Sequence, residues 1–365
     1  MSHCSERTER ERDVVPANKM LIRTGLEALY FTGSHLALRP FFRGIGAILT
    51  LHHVRPAQPG AFQPNRLLEV TPTFLEEVIL SLRRSQVDLV SLDEMRRRLS
   101  EGIFWRKFVC FTFDDGYRDN LSYAYPVLQR HAVPFAIYVP TSFPDRLGEL
   151  WWLALQAVIA QNDRVGLVIG NEDRHFTCRT TREKYEVFND VYWWLRGLPT
   201  EKALRDTVHE LCRRYRIDMA AFCAELCMTW DELAELARDP LVTIGAHTVN
   251  HVMLKKVPDG EARAEMKMSA AVIEAALGIR PRHLAYPVGD ASSAGPREFA
   301  LAREIGFDTA VTTRPGVLFP EHRRHLTALP RIAVNGEFQR LRYLRVLLSG
   351  AATALHNGFR RVNAA

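Results

Sequence analysis

The sequence contains no apolar run long enough to cross a bilayer. Its longest stretches, LWWLALQAVIA (150–160) and GAILTL (46–51), fall short of the roughly 20 residues a spanning helix needs. The opening segment, MSHCSERTERERDVVPANK, has no apolar core of the kind that marks a signal peptide. Cysteine is scarce, with six in 365 residues: Cys4, Cys110, Cys178, Cys212, Cys223 and Cys227. So few, with no export signal read, are expected to be reduced thiols and not a disulfide framework. Cys223 and Cys227 stand four apart, the spacing of half a metal site. No second pair matches it, so core packing is the expectation. These features make the cytoplasm the expected location.

A strong charge of one sign is also missing. Lysine and arginine number 48 against 42 acids, a net charge of +6. Nucleic acid is therefore not an expected partner. The densest basic stretch holds Arg340, Arg342, Arg345, Arg360 and Arg361. A helix packed on the body of the protein is its simpler account, and peripheral contact with an anionic membrane is the other. No internal repeat or low-complexity tract is present. What is present is a composition 47% apolar and 25% charged, enough for a sizeable core.

Residues 1–19 are expected to be disordered, 20–340 to form the main domain, and 341–365 a basic helical tail. Within the main domain, short apolar strands alternate with amphipathic helices. AILTLHHV, VDLVSL, KFVCFTF, PFAIYVP, LVTIGA, RHLAYP, FDTAVTT and ALPRIAV read as strands. Segments such as TPTFLEEVILSLRRS and GEARAEMKMSAAVIEAALG read as helices. This alternation predicts parallel strands with helical crossovers. About seven such units suit an incompletely closed strand–helix barrel better than an open sheet. Residues 150–237 break the pattern with mostly helical signals, and are expected to be a helical insertion.

In such folds the active site lies at the carboxyl ends of the strands. The polar residues that follow the predicted strands are Asp114 and Asp115, His247 and His251, Val288–Gly289–Asp290, Arg331, and His52 with His53. They come from distant parts of the chain and would converge on one face. HTVNH (247–251) would set both imidazoles on one side if it turns helically. Two histidines and one carboxylate leave positions open for water and substrate, the pattern of a catalytic metal site. Taken singly, the features have blander readings. Asp114 and Asp115 would cap the following helix, and His-x-x-x-His is often surface polarity. His53, His131, His175, His209 and His356 have no motif context. Trp151, Trp152, Trp193 and Trp194 are expected in a helical core, with stacking on sugar rings the lesser reading.

Together the motifs resemble those of the NodB-homology polysaccharide deacetylases. TFDDGYRDN and GAHTVNH carry the likeness most specifically; RHLAYPVGD, LPRIAVNG and LTLHHV add to it. The likeness spans residues 47–336 and leaves the insertion uncovered. It implies a distorted (β/α)7 barrel and a metal-dependent hydrolase that removes N-acetyl groups from amino sugars. The bond cut would be an amide but not a peptide bond. The implied substrate is a chito-oligosaccharide or a cell-surface polysaccharide precursor. Asp114 would be the general base acting on a metal-bound water. Asp115, His247 and His251 would hold one divalent ion, with Zn²⁺ the expected one. The backbone of Val288 would serve the oxyanion, flanked by Tyr286 and Pro287.

The sequence departs from the family pattern at two positions. Ala285 stands where an arginine pairs with the base, and Arg331 stands where a histidine acts as the acid. Arginine cannot donate a proton at neutral pH. One hypothesis joins both facts: Arg331 orients Asp114, and another residue is the acid. His52 is the first candidate and His325 the second. The alternative is a weakly active or non-catalytic sugar-binding or assembly protein on the same scaffold. The family often has an aspartate and a tryptophan near the segment TTRPG, and no tryptophan is present here.

Overall fold

The computed structural model describes residues 17–170 and 172–364. The expected disordered segment lies largely outside these, and its last residues open a helix, α1 (Ala17–Phe31). A second, α2 (Ser34–Phe42), leads to the barrel.

Seven parallel strands form a ring: β1 (Gly46–Leu51), β2 (Phe108–Phe113), β3 (Phe135–Val139), β4 (Val242–Ala246), β5 (His283–Ala285), β6 (Thr309–Pro315) and β7 (Leu329–Ala333). Their order around the ring is β1–β7–β6–β5–β4–β3–β2, and β2 pairs back onto β1 from Gly46↔Phe108 to Leu51↔Phe113. The barrel is therefore closed, where the sequence left closure open. It is also irregular. A two-residue strand, Asp88–Leu89, pairs with the base of β2 on the edge that β3 takes higher up. Strands β4 and β5 meet through one register pair, Leu284↔Ala246.

Residues buried on both faces explain the near-continuous apolar runs of β1, β2 and β3. Ile48, Cys110, Ala136, Tyr138, Ala285, Val311 and Leu329 fill the barrel interior. Their neighbours, such as Leu49, Phe111 and Ile137, face the helices outside. The period of two carries the inward row of β2 from Cys110 through Thr112 to Asp114, and that of β7 from Leu329 to Arg331.

Helices α3 (Pro72–Arg84), α4 (Leu92–Glu101), α5 (Tyr125–Arg130), α11 (Asp259–Leu277) and α12 (Pro296–Ile305) wrap the ring. Thr71 and Ser91 cap α3 and α4 through their side chains, and Gly102 ends α4 at φ 73°. The insertion contributes α6 (Trp151–Gln161), α7 (Thr181–Gly197), α8 (Glu201–Tyr215), α9 (Met219–Leu226) and α10 (Trp230–Leu236). It also contains an antiparallel hairpin, Arg164–Ile169 with Glu172–Thr177. The sequence reading missed this hairpin. Its first strand buries Val165 and Leu167, but EDRHFT on the second is almost wholly exposed and shows no apolar alternation. Trp151, Trp152 and the buried Cys223 and Cys227 lie in the insertion's own core.

The tail, α13 (Leu341–Leu348) and α14 (Ala351–His356), folds back against α1 and α2. Glu27 accepts hydrogen bonds from Arg342 and Tyr343, and the Phe42 and Phe359 rings lie 5.7 Å apart. No helix of the described residues is long and apolar enough to cross a membrane.

This layer yields a stability test. Gly350 has φ 77°, and a Cβ there would sit 1.7 Å from the Phe42 carbonyl oxygen. Gly350→Ala is expected to cost at least about 1–3 kcal/mol, seen as a lower urea midpoint with unchanged slope.

Candidate active site

Strand β2 ends in a tight turn. Asp115 and Gly116 both take left-handed backbone, at φ 71° and 61°. Asp114 thus continues the inward row of its strand, while Asp115 is swung to the neighbouring loop. The end of the insertion packs on this turn: Met228 N–H donates to the Gly116 carbonyl at 3.0 Å, and Tyr117 bridges to Cys227. Arg118 donates to Glu232 and to the carbonyls of Ala224 and Glu225. Asp119 accepts from the Val54 amide and pairs with His53 at 2.6 Å, and the Asn120 amide donates to the His52 carbonyl at 2.7 Å. Much of TFDDGYRDN therefore positions the end of β1.

The HTVNH segment is not helical. It is an irregular loop with Thr248 at φ 65° and His251 at φ 55°. The imidazoles converge because the loop is clamped. Glu265 of α11 accepts from the amides of Val249 and Asn250, both at 2.9 Å, and from the Asn250 side chain at 2.7 Å. Arg205 of α8 donates to the Asn250 carbonyl at 2.6 Å, and Glu201 accepts from the Met253 amide at 3.2 Å. Thr141 and Ser142 amides donate to Thr248 and Val249 carbonyls.

One ligand atom from each of Asp115, His247 and His251 lies within 4.8 Å of the others, and all three residues are buried. The Nε2 atoms of His247 and His251 are 3.6 and 3.2 Å from Asp115 Oδ1. His247 Nδ1 sits 2.7 Å from the Ala285 carbonyl. A carbonyl only accepts, so this contact assigns the proton to Nδ1 and leaves the Nε2 lone pair facing Asp115. Asp115 Oδ1 is buried with no hydrogen-bond partner among the described residues. An orphaned buried carboxylate oxygen facing two imidazoles is what a divalent cation would satisfy, so the donor set fits a metal ion. Burial raises the Asp115 carboxyl, but His251, His52 and His247 together lower it more, and the net lies below the ordinary carboxylate range. Burial pushes His247 down to about 4.

Beside this cluster, Arg331 grips Asp114 with two parallel bonds, Nη1 to Oδ1 at 2.7 Å and Nη2 to Oδ2 at 2.6 Å. It also donates to the Thr312 carbonyl at 2.9 Å and to Thr112 Oγ1 at 3.2 Å. Burial raises the Asp114 carboxyl, but Arg331, helped by His247 and His52, brings it below its ordinary value. Ala285, where the family pattern has arginine, lies in the same interior cluster as Tyr138, and the Arg331 guanidinium is 5.9 Å from the Tyr138 ring. His52 Nε2 is 3.9 Å from Asp114 Oδ2, too long for a direct hydrogen bond and suited to one bridging water. Burial holds His52 below its ordinary value and outweighs the pull of Asp114.

Other expected residues are placed differently. Val288 turns at φ 62° behind the buried Pro287. Tyr286 does not reach the site: it is fully buried, and its hydroxyl donates to the Thr327 carbonyl at 2.7 Å. As the residue after inward-facing Ala285, it points to the outer layer. His325 is exposed and precedes β7, at the end of the barrel opposite the site, so it is not a candidate acid. Asp290 pairs with Arg196 of α7 at 2.7 Å and ties the insertion to the barrel. Trp152 packs its ring 5.2 Å from His251, and its buried Nε1 has no partner among the described residues. The motifs gave no sign of Glu265 or Glu201. They stand on helices remote in sequence, and only folding brings them to the loop.

Two tests follow from this geometry. The folded Asp114 pKa is depressed, so its pair with Arg331 stabilises fully above the unfolded value, about 4. That contribution is lost as pH falls through the lower folded value. Arg331→Met should cost about 3–5 kcal/mol in urea unfolding at pH 7, and the gap to wild type should narrow below pH about 4. Glu265→Ala should weaken Zn²⁺ binding by calorimetry about tenfold or more, because the loop carrying both imidazoles loses its clamp.

Comparison with known proteins sets this geometry in context. The polysaccharide deacetylase family model matches residues 183–310, which include His247, His251 and the Val288 turn but neither Asp114 nor Arg331. No curated protein matches the sequence. Among solved structures, the deacetylase PplD of Streptococcus pyogenes, in complex with acetate, aligns at TM-score 0.56 and 18% identity, over 82% of this chain and 97% of that one. IcaB of Ammonifex degensii aligns at 0.51 and 18%, over 84% and 96%. A de-N-acetylase of Aggregatibacter actinomycetemcomitans aligns at 0.52 and 14%, over 82% and 99%. The chain thus has the (β/α)7 fold of the polysaccharide deacetylases and matches their family model over residues 183–310, as its motifs led one to expect.

Proposed function

We propose that the protein hydrolyses N-acetyl groups on amino sugars of an oligo- or polysaccharide, a chito-oligosaccharide or a cell-surface polysaccharide precursor. One observation carries the reading: a buried Asp114–Arg331 pair lies beside the Asp115–His247–His251 cluster at the carboxyl ends of the barrel strands. In this reading Asp115, His247 and His251 hold one divalent ion, with Zn²⁺ the first choice for two imidazoles and a carboxylate. When bound, such an ion polarises the acetamide carbonyl and acidifies water.

The chain's own residues do the rest. Arg331 keeps Asp114 ionised and fixes the plane of its carboxylate. Asp114 takes a proton as the water oxygen bonds to the carbonyl carbon. The Val288 amide donates to the oxygen on which charge develops. The carbon–nitrogen bond then breaks, and the proton the water gave up passes to the nitrogen, which leaves as an amine. Acetate is the other product. His52, neutral at rest and one water from Asp114, delivers that proton.

The test is acetate release from N-acetylglucosamine oligomers with added Zn²⁺. Wild type should release acetate, a chelator should stop it, and Asp114→Asn should lower the rate by about a hundredfold or more. His52→Ala should cut turnover while metal binding persists; near-full turnover would remove His52 from the scheme. No acetate from any N-acetyl sugar, with metal shown to be bound, would favour the non-catalytic sugar-binding reading instead.

A further inference from the structure

The helical layer formed by α1, α2, α13 and α14 has an unusual surface. Its two segments, 17–43 and 339–364, hold nine lysines and arginines against a single acid, Glu27. The remaining residues hold 39 basic and 41 acidic side chains, so the net positive charge of the protein lies in this one layer. Glu27 is already engaged by Arg342 and Tyr343. Arg23, Arg39, Arg43, Arg345 and Arg360 are exposed and have no ion-pair partner among the described residues.

Apolar side chains are exposed among these arginines. Eight of the 17 large apolar residues exposed among the described residues fall in the same two short segments, among them Met20 (60% exposed), Leu21 (73%), Phe31 (73%), Phe41 (63%) and Phe359 (55%). Single exposed apolar residues are ordinary, but a concentration of them marks an interaction surface. Behind them a cavity of about 450 Å³ opens between α1, α13 and α14, with Ile22, Leu26, Leu29, Leu347 and Leu355 in its walls. Its floor includes Ile332, which faces outward from β7 next to inward-facing Arg331.

We propose that this layer is a docking surface for an anionic lipid membrane, on which the protein lies peripherally. The arginines meet the headgroups, and the exposed phenylalanines and leucines enter the acyl boundary. The walls of the cavity are apolar enough to receive an acyl chain of the same lipid. A second copy of this chain is the poorer occupant, because a face with nine cations and one acid repels its own image.

The experiment is co-sedimentation of the full chain with vesicles of phosphatidylcholine, with and without phosphatidylglycerol. Binding to the anionic vesicles should exceed binding to the neutral ones by at least about tenfold and should fall at high salt. Arg39→Gln with Arg43→Gln should reduce it, as should Phe41→Ser with Phe359→Ser. All four positions are exposed or half-buried at the surface, and circular dichroism checks that each variant is folded. No binding to either vesicle overturns the proposal. So does equal binding to both, or sedimentation equilibrium showing a dimer that the Phe41→Ser, Phe359→Ser variant dissolves.

Discussion

A guanidinium buried inside a barrel has to be neutralised and hydrogen-bonded, or the barrel does not form around it. Arg331 meets both needs. Four of its five N–H groups find acceptors in Thr312, Thr112 and the two oxygens of Asp114. Its partner lies two strands away around the ring: β7 carries Arg331, β2 leads to Asp114, and β1 lies between them. The pair therefore spans the seam that closes the barrel, and it is made only when β1 is in register with both neighbours. Closing the barrel and pairing Asp114 with Arg331 go together. The adjacent Asp115 gains nothing from Arg331. Its orphaned Oδ1 needs a cation of its own, which the two imidazoles frame. In the proposed scheme the neighbouring carboxylates are thus compensated by two different charges on two sides of the turn.

The barrel strands were legible because strands buried on both faces leave unbroken apolar runs, and because several of them, β1, β2 and β4 among them, run directly into His or Asp residues. The contact between Arg331 and Asp114 was legible for a different reason. Ala285 and Arg331 each depart from the motif, and one hypothesis, an arginine moved from one strand to another, accounts for both. What the sequence hid follows from physics that periodicity does not carry. The HTVNH loop reaches its shape through left-handed residues and through the carboxylate of Glu265, neither of which has a spacing. The hairpin of the insertion hides because its outer strand is solvated on nearly all sides. Tyr286 reads as a site residue by adjacency, yet strand alternation turns it away from the mouth.

Strain is concentrated where the chemistry is proposed. Nine non-glycine residues have positive φ among the described residues, and four of them, Asp115, Thr248, His251 and Val288, stand on loops at the mouth. Each such residue costs of order 1 kcal/mol or more, so the surroundings must hold it in place. Here the helical insertion does the holding. It braces the Asp115 turn through Met228 and Arg118, the histidine loop through Arg205 and Glu201, and the Val288 turn through Arg196 and Asp290. The insertion is thus a clamp on three separate loops as well as a wall beside His251.

That clamping bears on how protons move in the proposed reaction. A carboxylate held by a bidentate guanidinium is a weak base, because its ionised form is the one Arg331 stabilises. It can accept a proton from water in the transition state but is poorly suited to keep it. His52 is also held below its ordinary value, by burial, which outweighs the pull of Asp114. The two groups stand 3.9 Å apart. In the proposed scheme the proton runs from the attacking water to Asp114 and on to His52, whose burial and nearby Arg331 favour its later release to the amine. In the proposed scheme, arginine in place of the family's histidine at 331 makes Asp114 a relay and leaves the acid's part to His52 at the end of β1.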